Sequence, residues 1–420
     1  MKAKKEDCTC FYNAGHIGPC TQVSKDDYTH YELESIPSGQ WGYLHFPITA
    51  RYARTLGKDC VGMTGKFHTE WGDFHSLKNL AALEFECFRI LSYGFGCSIG
   101  DQLEPNGRLN QSAYKLIGKV YGQIEKYESY ARPSKALVEA ALVTSENLLY
   151  ELKIPESVMG AAQMLEEIGL QFDIIDPSYE LKDYRLLILT DDFIAYDAFQ
   201  RKINAYVAQG GKVLSCGKGG LSEQLKYPDS FCAEYKGEEQ IYPSFLVPRA
   251  DMARNLEENN EYVIYRRGEV ILPTEKGETF PVAVEGNNTI LFAHPLFSQY
   301  RACAPFWCKQ LVKNAIDRLL DQRLVRHNGP SFLPLNILHQ PEKKRYCVHA
   351  LTYIPIRKSA TIDIIEERTA VYNVEMEFHL PKQIKKAFSV MDQKELEIKD
   401  GKLTVPEIDG YGIIELCYED

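Results

Sequence analysis

Apolar residues spaced three and four apart over 77–94 (LKNLAALEFECFRILSYG) predict a helix that Gly94 stops. The same spacing predicts helices over 41–57, closed by Gly57 despite Pro47 near its start, and over 112–130. Between them lie four shorter runs with strand character: CTCFYNAG (8–15), YTHYELES (28–35), CVGMTGKF (60–67) and GCSIGDQ (96–102). Strands that alternate with helices imply a parallel sheet. Functional side chains then belong at the C-terminal strand ends, where the loops into the helices lie.

ARPSK (131–135) reads as a linker, after which the pattern restarts. VEAALVTS, QFDIID, YRLLILTDD and KVLSC are strands, and SVMGAAQMLEEIGL and AFQRKINAYVAQGG are helices with Gly at their stops. Strands near 262–273 and 289–293 and a helix over 306–320 complete this part. Beyond about residue 325 only short alternating runs remain, split by turn residues. The expected order is an α/β region over 1–130, a doubly wound, flavodoxin-like α/β domain over 136–325, and a small all-β sandwich over 326–420.

Composition narrows the partners. The 420 residues are 45% hydrophobic and 25% charged, an ordinary globular mix. A net charge of −10 argues against a nucleic-acid surface. No apolar run is long enough to cross a bilayer, and the basic N-terminus lacks the apolar stretch of a secretory signal, so no membrane partner is expected. The 12 scattered cysteines then read as reduced thiols of a cytoplasmic protein. Cys8, Cys10, His16 and Cys20 can be drawn as a zinc site. Their C-x-C spacing is unlike a zinc knuckle and no second half-site follows, so no metal is expected. SCGKGGLS (215–222) lacks the Lys-Ser/Thr pair of a phosphate loop, and no cofactor is expected either.

The four strand ends in 8–130 carry Asn13 and His16; Glu32 and Glu34; Lys66, His68, Trp71 and Asp73; and Asp101. Acids, amides and imidazoles at successive strand ends suggest a polar cleft of the kind glycoside chemistry needs. Glu32 and Glu34 lie two apart, so in an extended strand both face one way. A carboxyl kept protonated beside an apolar wall can protonate a leaving glycosidic oxygen. Glu34 is the first choice for that role, Glu32 the second and Asp73 the third. Trp71 offers a plate for a sugar ring, or else it is core above a capped loop. Asn13, His16, Lys66, His68 and Asp101 would hold hydroxyls.

GHIGP (15–19), ELES (32–35), TARYARTLGKDCVGMTGKFHTEWGDF (49–74) and GCSIGDQL (96–103) carry a resemblance. The chain resembles the hypothetical glycosyl hydrolases related to glycoside hydrolase family 151 α-L-fucosidases, and 136–325 resembles the β-galactosidase trimerisation domain. The resemblance implies a carbohydrate substrate, retaining hydrolysis by an aspartate nucleophile with a separate acid/base carboxylate, and a homotrimer. It matches the four strands to the last four of a (β/α)₈ barrel. The nucleophile strand would lie before Met1, so the 420 residues form a partial barrel, expected to be truncated and inactive alone. The alternative expectation is a non-catalytic oligomerising or carbohydrate-binding protein.

Overall fold

The computed structural model describes residues 7–73, 75–146, 153–238, 272–273, 279–280 and 282–419. Its first unit holds strands β1 (Tyr31–Glu34), β2 (Cys60–Gly65) and β3 (Gly96–Gly100) and helices α1 (His45–Ala53), α2 (Leu80–Leu91) and α3 (Gln111–Ala131). The strands are parallel in the order β1-β2-β3, with Glu34 opposite Met63 and Met63 opposite Ser98. Residues 8–15 form no strand, so this sheet has three strands and not the expected four. The physical reason is visible at Phe11, Tyr12 and Asn13, which are exposed, and at Cys10, whose backbone amide bonds the Thr29 side chain. That contact uses a ladder donor on a hydroxyl, and the one backbone bond beside it, from Thr29 N to the Cys10 carbonyl at 2.8 Å, does not extend into a ladder.

One face of the sheet is sealed. Tyr31 and Leu33 are fully buried, and Gly62 lies so close to α1 and α2 that a Cβ there would stand 2.6 Å from Ile90 and 2.9 Å from Phe46. The other face carries Glu32, Glu34, Val61, Met63 and Ser98, all half-buried. α1 is shorter than the pattern predicts. Gly42 takes φ 72° ahead of it, and a 3₁₀ turn ending at Gly57, φ 76°, follows it. The Asn79 side chain caps α2 by accepting from Ala82 N at 2.8 Å, and Asn110 caps α3 in the same way.

Lys135–Ala136 forms β4. The second unit then places β5 (Ala140–Val143), β6 (Phe172–Ile175), β7 (Leu186–Leu189), β8 (Lys212–Cys216), β11 (Ala283–Glu285) and β12 (Thr289–Phe292) in one sheet. The order is β11-β12-β8-β7-β5-β6, parallel except for β11. Every side chain of β5, β7 and β12 is buried, as a sheet covered on both faces requires. Helices α4 (Glu156–Glu167), α5 (Asp197–Ala208), α6 (Leu296–Cys303) and α7 (Phe306–Leu319) cover it. Of the run 215–222, Ser215 and Cys216 end β8 and 217–222 follow as a glycine-bearing turn. Of the strand expected near 262–273, residues 262–271 lie outside the described residues; β9 (Leu272–Pro273) pairs with β10 (Thr279–Phe280).

The third unit is two packed sheets. β13 (Val325–His327), β18 (Ala370–Phe378) and β21 (Lys402–Asp409) make one. β14 (Leu335–Gln340), β15 (Arg345–Leu351), β19 (Ile384–Ser389), β20 (Lys394–Leu396) and β22 (Tyr411–Tyr418) make the other, which β4 joins at its edge beside β14. β16 (Ile356–Arg357) and β17 (Asp363–Ile364) form a separate ribbon. Val348, Ile414 and Leu416 meet Val374, Met376 and Val405 between the sheets. The larger sheet turns its other face to α2 and α3, where Phe88 stacks on Tyr411 at 4.1 Å. Among the described residues no helix is long and apolar enough to cross a membrane.

Three buried histidines make the fold acid-labile. Burial pushes His45 down to about 3, with the charge of His16 adding to the effect. Burial pushes His327 and His349 down to about 4. Between pH 6.5 and 4 the unfolded chain binds protons at these sites and the folded chain does not, so stability falls as pH falls. The thermal midpoint is expected to drop across that window. Neither ring nitrogen of His327 has a hydrogen-bond partner. His327→Leu should therefore flatten the drop, by about 1.4 kcal/mol for each pH unit that His327 contributes. Scanning calorimetry from pH 7 to 4 checks it; parallel curves for the two proteins would refute it.

Candidate active site

Glu32 and Glu34 sit at the C-terminal end of β1, on the face that no helix among the described residues covers. Burial raises both carboxyls above the ordinary carboxylate range. The charge of Glu32 raises Glu34 further, and a hydrogen bond from the Asn13 side chain opposes that rise. A carboxyl in this state holds its proton longer than a solvated one, the property a general acid needs.

At the ends of β2 and β3, Lys66 Nζ stands 4.0 Å from Asp101 Oδ1, and both side chains are buried. Lys66 N donates to the Gly100 carbonyl at 3.0 Å and so ties the two strand ends together. Trp71 is 36% exposed and is not core. Its ring lies on Gly65 and Gly100, where an added Cβ would stand 3.2 Å and 2.4 Å away, and it meets Phe67 edge to face at 5.7 Å.

The remaining expected residues are engaged elsewhere. His16 is buried, with Nδ1 2.8 Å from Thr49 Oγ1 and Nε2 2.7 Å from Glu146 Oε2. Both ring nitrogens are thereby used, and the ring locks the first unit to the second. The order Glu146–His16–Thr49 has the form of an acid–base relay, but Thr49 is fully buried and no substrate reaches its hydroxyl. His68 lends its backbone, its carbonyl accepting from Ser38 Oγ and its amide donating to Ser76 Oγ at 2.9 Å. Asp73 caps its own loop. The Ser76 hydroxyl, and after it the His75 amide, hold its carboxyl below the ordinary carboxylate range, which suits an ionised group and not a proton donor.

Sequence reasoning missed two groups. Glu146 follows β5 in the neighbouring unit, and only its place as the first acid after the strand AALVTS marks it. Glu86 on α2 is fully buried, bound by Lys78 and by Thr64 Oγ1, with burial raising its carboxyl. It lines a cavity of about 20 Å³ with Ser35, Tyr43 and Phe46. That space suits one water and no sugar, and it lies on the helix-covered side of the sheet. Among the described residues no three His, Cys, Asp or Glu side chains are placed to hold a metal ion.

No protein-family model and no curated protein matches the chain. Solved structures do. α-L-Fucosidase isoenzyme 2 from Paenibacillus thiaminolyticus is 30% identical, with a TM-score of 0.89 over 100% of this chain and 69% of that one. The β-galactosidase from Bacillus circulans sp. alkalophilus is 13% identical, with a TM-score of 0.63 over 94% of this chain and 61% of that one. The cold-adapted β-galactosidase from Rahnella sp. R3 is 11% identical, with a TM-score of 0.58 over 93% and 60%. The galactosidases share the fold alone. The fucosidase shares sequence along the whole chain, and the protein belongs to the glycoside hydrolase family of that Paenibacillus enzyme.

Proposed function

We propose that this chain is part of a retaining glycoside hydrolase of the α-L-fucosidase type, with Glu34 as acid/base and Glu32 beside it. The observation that carries the reading is the pair of half-buried, upshifted glutamates on the uncovered face at a parallel strand's C-terminal end. Trp71, Lys66 and Asp101 at the next two strand ends supply a stacking plate and polar partners for a sugar. Asn13 steadies Glu34, and Asp73 and His68 shape the loop that carries Trp71. The resemblance to family 151, trimer assembly through 136–325 and a cytoplasmic setting belong to the same proposal.

A three-stranded parallel sheet does not close a barrel, and the resemblance assigns no nucleophile within the 420 residues. The 420-residue polypeptide is therefore expected to show no turnover of 4-nitrophenyl α-L-fucoside above a blank. Turnover should appear once the unmatched N-terminal segment of the Paenibacillus enzyme is supplied. Clear turnover by the purified polypeptide alone would overturn the missing-nucleophile reading. The second reading, a non-catalytic carbohydrate-binding protein, draws on the same open sheet; sugar binding that persists without turnover after the segment is supplied would favour it.

A further inference from the structure

The side chain of Asp101 is 8% exposed, and neither of its carboxylate oxygens accepts a hydrogen bond. Lys66 Nζ, at 4.0 Å, is near enough for charge attraction and too far for a hydrogen bond. A buried carboxylate with both acceptors empty is costly, and folded chains keep such a deficit where a bound group fills it. Asp101 follows Gly100 at the end of β3, and Lys66 follows Gly65 at the end of β2. The Trp71 ring lies on those same two glycines. An acceptor pair, an ammonium and an indole thus converge on adjacent strand ends.

We propose that Asp101 is a specificity residue, accepting hydrogen bonds from two hydroxyls on adjacent carbons of a pyranose that packs against Trp71. This rests on the reading of these strand ends as a sugar cleft. A carboxylate presents two acceptors side by side, and a vicinal diol presents two donors in the matching arrangement. Lys66 donates to an oxygen of the same diol and balances the carboxylate charge. Entry of the sugar moves the indole off Gly65 and Gly100, so tryptophan emission reports occupancy. A sugar lacking one of the two hydroxyls leaves a buried acceptor empty and binds more weakly.

The test titrates the 420-residue polypeptide with L-fucose and its 2-, 3- and 4-deoxy forms, followed by tryptophan emission and calorimetry. Two deoxy forms altered at adjacent carbons should bind at least about 10-fold more weakly than L-fucose, the size of one lost buried hydrogen bond. Asp101→Asn should weaken L-fucose by a similar factor and level the deoxy series to within about threefold, because the amide keeps one acceptor only. The deoxy comparison needs no variant, so it decides even where Asp101→Asn fails to fold. A flat deoxy series on the unaltered protein, with Trp71→Ala still abolishing binding, overturns the role of Asp101 and leaves the sugar cleft standing. No binding of any form at tens of millimolar overturns the cleft itself.

Discussion

Glu34→Ala, in a catalytic unit completed with the N-terminal segment of the Paenibacillus fucosidase, is expected to lower kcat/KM about 10²–10⁴-fold on substrates with poor leaving groups. The loss should be far smaller on aryl fucosides with good leaving groups, which depart without a proton. Azide should rescue the second, deglycosylation half-reaction by attacking without a general base. The physical ground is the pair of influences that hold the Glu34 proton, burial first and the Glu32 charge second. Removing Glu32 takes away only the second. Glu32→Gln should therefore shift the basic limb of the pH–rate profile, where Glu34 loses its proton, to lower pH while keeping most of the rate. Equal, small losses from Glu34→Ala on both substrate types would move the role to Glu32. Steady-state kinetics on the two substrate types decide between these outcomes.

Glu166→Ala is expected to destabilise the fold by about 3–5 kcal/mol, the usual cost of stranding a buried charge. Glu166 closes α4 and accepts from Arg51 Nη1 of α1 at 2.7 Å and from Arg89 of α2. The two arginine side chains are 3% and 6% exposed. Arg51 also lies over the Phe172 ring at 4.2 Å. A carboxylate at a helix C-terminus meets the wrong end of the helix dipole, so the arginines hold it there. Burial pushes its carboxyl up, and the two guanidinium groups outweigh burial and leave it below the ordinary range. The clamp thus adds stability above the unfolded carboxyl's pKa and loses it as pH falls through the lower folded value. In Glu166→Ala two guanidinium groups face each other without a counter-charge. Urea unfolding should show a lower midpoint, and the first and second units should melt apart. An unchanged midpoint would mean that water enters freely and the pair is not desolvated.

The helices and two of the first-unit strands were legible because their burial follows one period. Leu83, Cys87, Phe88, Ile90 and Leu91 recur at three and four, and all are buried. The same local logic failed over 8–15. That run is rich in aromatic and sulfur residues, yet Phe11 and Tyr12 stay 42% and 51% exposed, and the run meets the chain leading into β1 through a single backbone hydrogen bond, Thr29 N to the Cys10 carbonyl, rather than a ladder. Glu32 and Glu34 were legible as a pair since alternation alone puts them on one face. His16 was not. Its partner Glu146 lies 130 positions away, a distance no local pattern spans, and that partner turns a candidate hydroxyl-binding ring into a structural lock. Glu86 was hidden for another reason: on a helix, an acid between two apolar neighbours reads as surface, and only packing reveals Lys78 and Thr64 around it.

The linker leads to one more conclusion. Lys135 and Ala136 join the first unit to the second, yet as β4 they are hydrogen-bonded along β14 of the third, with Leu137 N donating to the Ile337 carbonyl at 2.9 Å. A genetic crossover that trades the first unit for a foreign one at this junction would strip an edge strand from a sheet about 200 residues downstream. Phe88 and Tyr411 would also lose each other across the same seam. The three units therefore do not behave as interchangeable cassettes. A chimera that respects the fold must break elsewhere or carry 135–137 together with the whole C-terminal sandwich.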